Sequence, residues 1–315
     1  MDLSILIINW NTRDMLRDCL ASVFDGAPTG RSYEVIVVDN ASEDGSQEMV
    51  RNEFPQVTMI MNNENKGFAA ANNQAMAIAS GANILLLNSD TLVHGDVLAK
   101  SIEYMDANWH VGAMGCRVLN ADGSLQHSTS QFPSFLNLTF QTLGFDRFTH
   151  VPMFRKYRML DWDRQSERFV PTISGCYLMV RQQCIDAVGM LDEDFFFFGE
   201  ETDWCRRIRE AGWRVAFAPV GDITHFGGGS SGALNHKRDL MLTEATVRLH
   251  RKHSGIFTAF AVYLLLLVFN SSRYAYWAAV SAFVRAKHAK ERRRHFKGVS
   301  FGFLKAWPKH GRAFQ

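Results

Sequence analysis

Short apolar runs recur along the first part of the chain, each followed by a stretch with helical spacing. Leu3–Ile8, Tyr33–Val38, Val57–Met61 and Ile84–Leu87 are runs of strand length, three of them rich in β-branched residues. Runs with so little polar alternation belong to strands covered on both faces. Between them, Leu16, Leu20, Val23 and Phe24 share one face of a helix over Arg13–Phe24, with Thr12 as its N-cap. A short helix after Ser42–Gly45 ends near Phe54, ahead of Pro55, and an alanine-rich helix covers Phe68–Ala79. Alternating strands and helices predict an α/β fold with a parallel sheet.

The later pattern is less regular. A helix near Asp96–Asn108 leads to a strand over Val111–Val118, and Asn120-Ala121-Asp122-Gly123 predicts a hairpin turn. Phe132–Arg168 is aromatic and aperiodic, an irregular insertion suited to lining an acceptor site. Ile173–Val180 reads as one strand entering a helix over Gln182–Val188, closed by Gly189. Four phenylalanines, Phe195–Phe198, read as a core anchor ahead of a helix that runs to Ala211 and stops at Gly212. Val215–Ala218 is the last expected strand, with His225 a few residues on, opening a glycine-rich loop over 226–232. Two apolar blocks follow, Ile256–Phe269 and Tyr274–Val284, separated by Asn270-Ser271-Ser272-Arg273. Neither reaches the roughly 20 residues that span a bilayer. One span across both would bury Arg273 at about 2.5–3.5 kcal/mol. Two interfacial or re-entrant helices, or a pair packed on protein, are the expected forms.

The chemistry gathers at strand ends. Open α/β sheets bind ligands beyond the carboxyl ends of their strands. Those ends carry Asn9 and Asn11, then Asp39, then Asn88 and Asp90. Asp90 leaves the most apolar strand, where a carboxylate is costly unless a cation meets it. A divalent ion that also touches phosphate oxygens suits that position; a turn-capping role for Ser89 and Asp90 is the alternative. Asp39 can grip a ribose or base edge, or cap its own turn. Glu200, Glu201 and Asp203 open the helix after the phenylalanines, and carboxylates crowded at a desolvated rim acquire raised pKa values suited to a general base. Complementing the helix dipole is the structural alternative. No GxGxxG follows the first strand and no GxxxxGK[ST] occurs, which weighs against a nicotinamide dehydrogenase and a P-loop NTPase.

Composition narrows the class further. The 315 residues, 47% hydrophobic, support one large domain with an extension. A net charge of +2 provides no general field for nucleic acid. From Arg285 onward, however, basic residues crowd together with Glu291 as the sole acid, a pattern that suits an anionic membrane surface. The five cysteines lack metal-binding spacing and fit reduced thiols in a cytoplasm. Met1–Trp10 lacks a basic n-region, so the expectation is that it is no signal peptide.

Taken together, SILIINWNT (Ser4–Thr12), VIVVDNASEDGS (Val35–Ser46), NKGFAAANNQA (Asn65–Ala75), LLLNSDT (Leu85–Thr91), SGCYLMVR (Ser174–Arg181), GEETDWCRRIREAGW (Gly199–Trp213) and HFGGGSS (His225–Ser231) resemble a family 2 glycosyltransferase of the GT-A fold, near its bacterial rhamnosyltransferase-like branch. The resemblance implies a GT-A type, Rossmann-like nucleotide-binding sheet over residues 1–250. Residues 251–315 then form a helical, membrane-associated extension. It also implies inverting transfer of a sugar, rhamnose being one candidate, from a nucleotide diphosphate donor to a lipid-linked or polysaccharide acceptor in cell-envelope glycan synthesis, aided by Mn²⁺ or Mg²⁺. Asn9, Trp10, Asn11, Asp39, Asn65, Lys66, Gly67, Asn88 and Asp90 then hold the nucleotide. Asp90 and His225 hold the metal, and Glu201 is the base, with Glu200 and Asp203 as alternates. Two departures stand out. The usual D-x-D is Asn88-Ser89-Asp90, and Glu201 replaces a more common Asp. The expected location is cytoplasmic, peripheral or monotopic at the inner face of the membrane, with no nucleic-acid partner. A nucleotidyltransferase acting on sugar phosphates, or a non-catalytic nucleotide-sugar-binding protein, is the competing reading.

Overall fold

The computed structural model describes residues 1–148, 150–227, 235–283 and 287–308. In chain order they form β1 (Leu3–Asn9), α1 (Arg13–Asp25), β2 (Tyr33–Asp39), α2 (Ser46–Glu53), β3 (Thr58–Met61), α3 (Phe68–Met76), β4 (Asn83–Asn88), β5 (Thr91–Val93), α4 (Val97–Ala107), β6 (Val111–Leu119), β7 (Leu125–Gln126), β8 (Thr129–Ser130), α5 (Phe135–Thr142), α6 (Pro152–Arg155), β9 (Arg168–Phe169), β10 (Thr172–Ile173), β11 (Tyr177–Arg181), α7 (Gln182–Val188), α8 (Glu200–Glu210), β12 (Arg214–His225), α9 (His236–Ser254), α10 (Ile256–Phe283) and α11 (Lys287–Gly302). They divide into two compact units. The first comprises Met1–Phe132, Lys156–Glu193 and Glu200–Ser230, and the second Pro133–Arg155, Asp194–Gly199 and Ser231–Gln315. The expected boundary at residue 250 falls inside α9.

The first unit is built on one sheet of order β3-β2-β1-β4-β11-β6-β12-β5, with β7 added on β6 and β9 on β12. β1 pairs in parallel with both β2 and β4. Side chains alternate across the sheet. Leu3, Ile5, Ile7, Val35, Val37, Leu85 and Leu87 join one buried cluster, with Leu16, Leu20 and Val23 of α1. Leu6, Ile36, Val38, Ile84 and Leu86 join the other, with Ala69, Ala71 and Ala75 of α3. Both faces are covered, which is why these strands read as continuous apolar runs.

The sheet is mixed rather than parallel throughout, because β11 runs antiparallel to β4 and β6, and β5 antiparallel to β12. The single strand expected over Ile173–Val180 is broken at Ser174-Gly175-Cys176. Thr172–Ile173 leaves the main sheet and pairs with β8, while Tyr177–Arg181 stays in it. The strand expected over Val215–Ala218 is longer, since β12 continues through an irregularity between Phe217 and Asp222 to end at His225. The hairpin at Asn120–Gly123 forms as expected, with Val118 opposite Gln126 and Leu119 opposite Leu125.

The second unit is helical. Part of the insertion expected to be irregular is ordered: α5 is capped by the Ser134 hydroxyl, which accepts from the Asn137 N–H. Of the four phenylalanines only Phe195 is fully buried, packed with Ala245 and Leu249 of α9. The two blocks expected as separate helices form one continuous 28-residue helix, α10. The polar residues between them do not break it because their side chains turn back onto their own helix. Asn270 Nδ2 donates to the Leu266 carbonyl and Ser272 Oγ to the Phe269 carbonyl, and the Arg273 guanidinium lies 5.1 Å from the Phe269 ring centroid. Val262, Tyr263 and Leu266 of α10 share a buried cluster with Val247 of α9 and with Val299 and Phe303.

Candidate active site

Parallel register places the carboxyl ends of three strands side by side, with Asn9 opposite Asp39 and Ile8 opposite Asn88. The polar residues there hold one another. Asp39, 1% exposed, accepts from Asn9 Nδ2 (2.8 Å) on one oxygen, and from the Ser42 N–H (2.9 Å) and Gln47 Nε2 (2.8 Å) on the other. Asn9 Oδ1 accepts from Thr12 Oγ1 at 2.7 Å, and Thr12 Oγ1 shares a 2.9 Å hydrogen bond with Ser89. The expected cap residue Thr12 therefore makes no side-chain cap bond; its hydroxyl ties β1 to the turn after β4. The chain leaves β1 and β2 through left-handed backbone at Asn11 (φ 54°) and Ala41 (φ 61°). Asn11 tolerates that conformation, whereas Ala41 pays a steric cost that the surrounding bonds hold in place. The turns let the Asn11 N–H reach Ser42 Oγ and the Glu43 N–H reach Asn11 Oδ1. Trp10 stays 41% exposed at this edge. Asn65, Lys66 and Gly67 sit beside the end of β2, where Asn40 Oδ1 faces the Lys66 N–H (3.4 Å) and Asn40 Nδ2 donates to the Gly67 carbonyl.

Asp90 reaches its position through topology. β4 ends at Asn88, Ser89-Asp90 turns the chain, and β5 departs to the far edge of the sheet, where Thr91 pairs with His225 of β12. The Phe226 N–H donates to the Asp90 carbonyl at 3.0 Å. Asp90 Oδ1 consequently lies 3.2 Å from His225 Nε2, and Asn88 Nδ2 lies 3.1 Å from the same nitrogen. Residues 135 apart in sequence thus meet at one point. On its other side the His225 ring is held by Gln126, whose Oε1 is 2.7 Å from Nδ1.

Glu201 lies in the first turn of α8, half-buried, and burial raises its carboxyl above the usual carboxylate range. Glu200 precedes it, 4% exposed. Asp203 is fully buried and accepts from Arg207 Nε at 2.8 Å, while that guanidinium also donates to the Val188 and Met190 carbonyls. Asp203 is thus committed to fastening α8 onto the loop after α7. The Cys176 thiol, at the break before β11, is pushed up to about 12 mainly by burial, and both Asp90 and Glu201 add to the rise. Residues 228–232 of the glycine-rich loop lie outside the described residues.

Sequence reasoning missed Gln126, Gln47 and Asn40. Gln126 sits in a two-residue strand and carries no local signal; only the pairing of β7 with β6 delivers it to His225.

An α/β sheet that brings Asp39, Asn88, Asp90 and His225 together at one edge is the arrangement expected of a GT-A glycosyltransferase. The glycosyl transferase family 2 profile matches residues 4–181, and the chain belongs to that family. Among characterised proteins it is similar to the N-acetylglucosaminyl-diphospho-decaprenol L-rhamnosyltransferase of Mycobacterium tuberculosis, 26% identical over 80% of this chain and 85% of that one. It is also similar to the glycosyltransferase AglE of Haloferax volcanii, 25% identical over 68% of this chain and 64% of that one. Among solved structures, the fold resembles the mannosyltransferase PcManGT of Pyrobaculum calidifontis in complex with GDP-Man and Mn²⁺. The TM-score is 0.55 at 16% identity, over 96% of this chain and 86% of that one.

Proposed function

We propose that the protein moves a sugar, with inversion, from a nucleotide diphosphate donor to a hydroxyl of a lipid-linked or polysaccharide acceptor in cell-envelope glycan synthesis. The observation that carries this reading is the meeting of Asp90 and His225 at the end of β4. The mycobacterial relative, by its name, transfers L-rhamnose to a lipid diphosphate acceptor, which favours that class of donor and acceptor.

The donor set suits a divalent cation. A carboxylate oxygen and an imidazole nitrogen 3.2 Å apart match the roughly 3 Å between adjacent ligands of an octahedral Mg²⁺ with bonds of about 2.1 Å. Among the described residues no group of three His, Cys, Asp or Glu is placed to hold a metal, and Asp90 and His225 are the side chains that would hold one here. When bound, Mn²⁺ or Mg²⁺ supplies positive charge to the departing diphosphate. Asp90 and His225 hold that charge in place. The strand ends at Asn9, Asp39 and Asn65–Gly67, with Trp10 beside them, orient the nucleotide. Glu201 takes the proton of the acceptor hydroxyl as its oxygen bonds to the anomeric carbon and the carbon–phosphate oxygen bond breaks on the opposite face. Its raised pKa keeps it basic enough to accept that proton.

The helical unit supports a peripheral place at the inner face of the membrane. Phe257, Phe260, Leu264, Val268 and Tyr276 lie exposed along one side of α10, and Lys287, Lys290, Arg294 and Lys297 along α11. Apolar insertion and attraction to anionic lipid act together on such a surface.

The test is incubation with a panel of nucleotide sugars, including dTDP-rhamnose, and a polyprenyl-diphosphate sugar acceptor. Release of nucleoside diphosphate coupled to acceptor glycosylation is expected. Pyrophosphate release would indicate a nucleotidyltransferase, and binding without turnover a non-catalytic protein.

A further inference from the structure

We propose that Gln126 is a positioning residue that fixes the tautomer of His225 and thereby makes it a metal ligand; this rests on the metal reading above. Three hydrogen bonds define the arrangement. Gln126 Nε2 donates to the His225 backbone carbonyl at 3.2 Å and to Asn120 Oδ1 at 2.7 Å. A backbone carbonyl only accepts, so the amide nitrogen is identified by its partner and not by choice. The amide oxygen then faces His225 Nδ1 at 2.7 Å, and that nitrogen must carry the proton.

The other face of the ring is where a cation would sit. Asn88 Nδ2 lies 3.1 Å and Asp90 Oδ1 3.2 Å from Nε2. With a proton held on Nδ1 by Gln126, a cation that takes the place of any proton on Nε2 meets the Nε2 lone pair and the Asp90 carboxylate together, whereas a neutral ring carrying its proton on Nε2 would turn an N–H into that space. Glutamine does here what a carboxylate or carbonyl does behind other metal-bound histidines.

The device is anchored in the hairpin. The turn at Asn120–Gly123 closes with the Asn120 N–H donating to the Ser124 carbonyl, and Asn120 Nδ2 donates to Ser124 Oγ. That leaves Asn120 Oδ1 aimed at Gln126. Turn chemistry is thereby transmitted through one amide to the imidazole.

The test reads the tautomer directly. Long-range ¹H–¹⁵N imidazole spectra of the full-length metal-free protein, with His225 assigned by its loss in His225→Asn, should show a protonated Nδ1. Gln126→Leu, of similar volume, should mix the tautomers and weaken Mn²⁺ binding about 10–100-fold, measured by the EPR signal of free Mn²⁺ with saturating dTDP or UDP. Gln126→Glu keeps an accepting oxygen opposite Nδ1 and should retain the Nδ1 proton, although its bonds to the His225 carbonyl and Asn120 are lost. A wild-type His225 with a bare Nδ1 overturns the proposal, as does a Gln126→Leu variant with unchanged tautomer and Mn²⁺ affinity. Unchanged Mn²⁺ affinity in His225→Asn would instead sink the ligand assignment itself, a different failure that the tautomer spectra distinguish.

Discussion

The two units handle burial in opposite ways. In the sheet unit, apolar strands are covered on both faces, and the buried polar groups gather at one edge, bonded to each other: Asn9 to Asp39, Thr12 to Ser89, Asp90 beside His225. In the helical unit the polar groups are buried in pairs, such as Glu244 with Arg248, while the most apolar helix stays largely uncovered. α10 is, among the described residues, the helix long and apolar enough to cross a membrane by length and composition, yet only 28% of its most apolar stretch is buried. A pre-bonded polar edge is suited to a charged ligand because it needs little reorganisation to receive one. An uncovered apolar face is suited to an apolar partner.

The largest effect should come from Asp90. Asp90→Ala removes the carboxylate that the fold steers to His225, and transfer should fall to the detection limit, with calorimetry showing that Mn²⁺ no longer strengthens donor binding. Retained metal-dependent affinity would break the contrast, since the polar edge would then be structural only.

Glu201→Gln comes next. It keeps shape and removes basicity, so kcat should drop about 10²–10⁴-fold with donor affinity preserved. The same variant tests the burial argument through pH. Burial raises the folded-state pKa of Glu201 above its unfolded value, so folding favours the protonated acid. Its stabilising contribution is greatest below about pH 4.3 and is lost as pH rises through the folded value. Glu201→Gln should accordingly melt higher than wild type at pH 8, with the difference shrinking toward pH 4. A lower melting temperature at pH 8 would contradict the assignment.

Asp203→Asn should separate scaffold from chemistry. It breaks the pair with Arg207, whose side chain is 20% exposed, so a loss of about 2 kcal/mol is expected, below the 3–5 kcal/mol of a fully buried pair. Chemical denaturation measures it, and kcat of the folded variant should stay within a few-fold of wild type.

The smallest effect on stability belongs to the uncovered face. Val268→Asp should change folding stability by less than about 0.5 kcal/mol, because the residue is 65% exposed. It should nonetheless reduce flotation with anionic liposomes. Val262→Asp, at a fully buried position, should unfold the unit. Equal flotation of wild type and Val268→Asp would remove the membrane as the partner of α10.

Strand positions, the helices between them and the residues at the carboxyl ends of β1, β2 and β4 are set by local pattern, because a strand buried on both faces must be apolar and its functional groups must wait for its end. Those features were legible in the chain. The meeting of Asp90 with His225, the delivery of Gln126, the break at Ser174–Cys176 and the commitment of Asp203 to Arg207 depend on which strand lies beside which, and no local periodicity encodes that. The same holds for α10. Its polar middle looked like an interruption because a single span across both blocks would bury Arg273 in the bilayer, whereas packing of Val262, Tyr263 and Leu266 against neighbouring helices accompanies continuous turns whose polar side chains bond back to their own backbone.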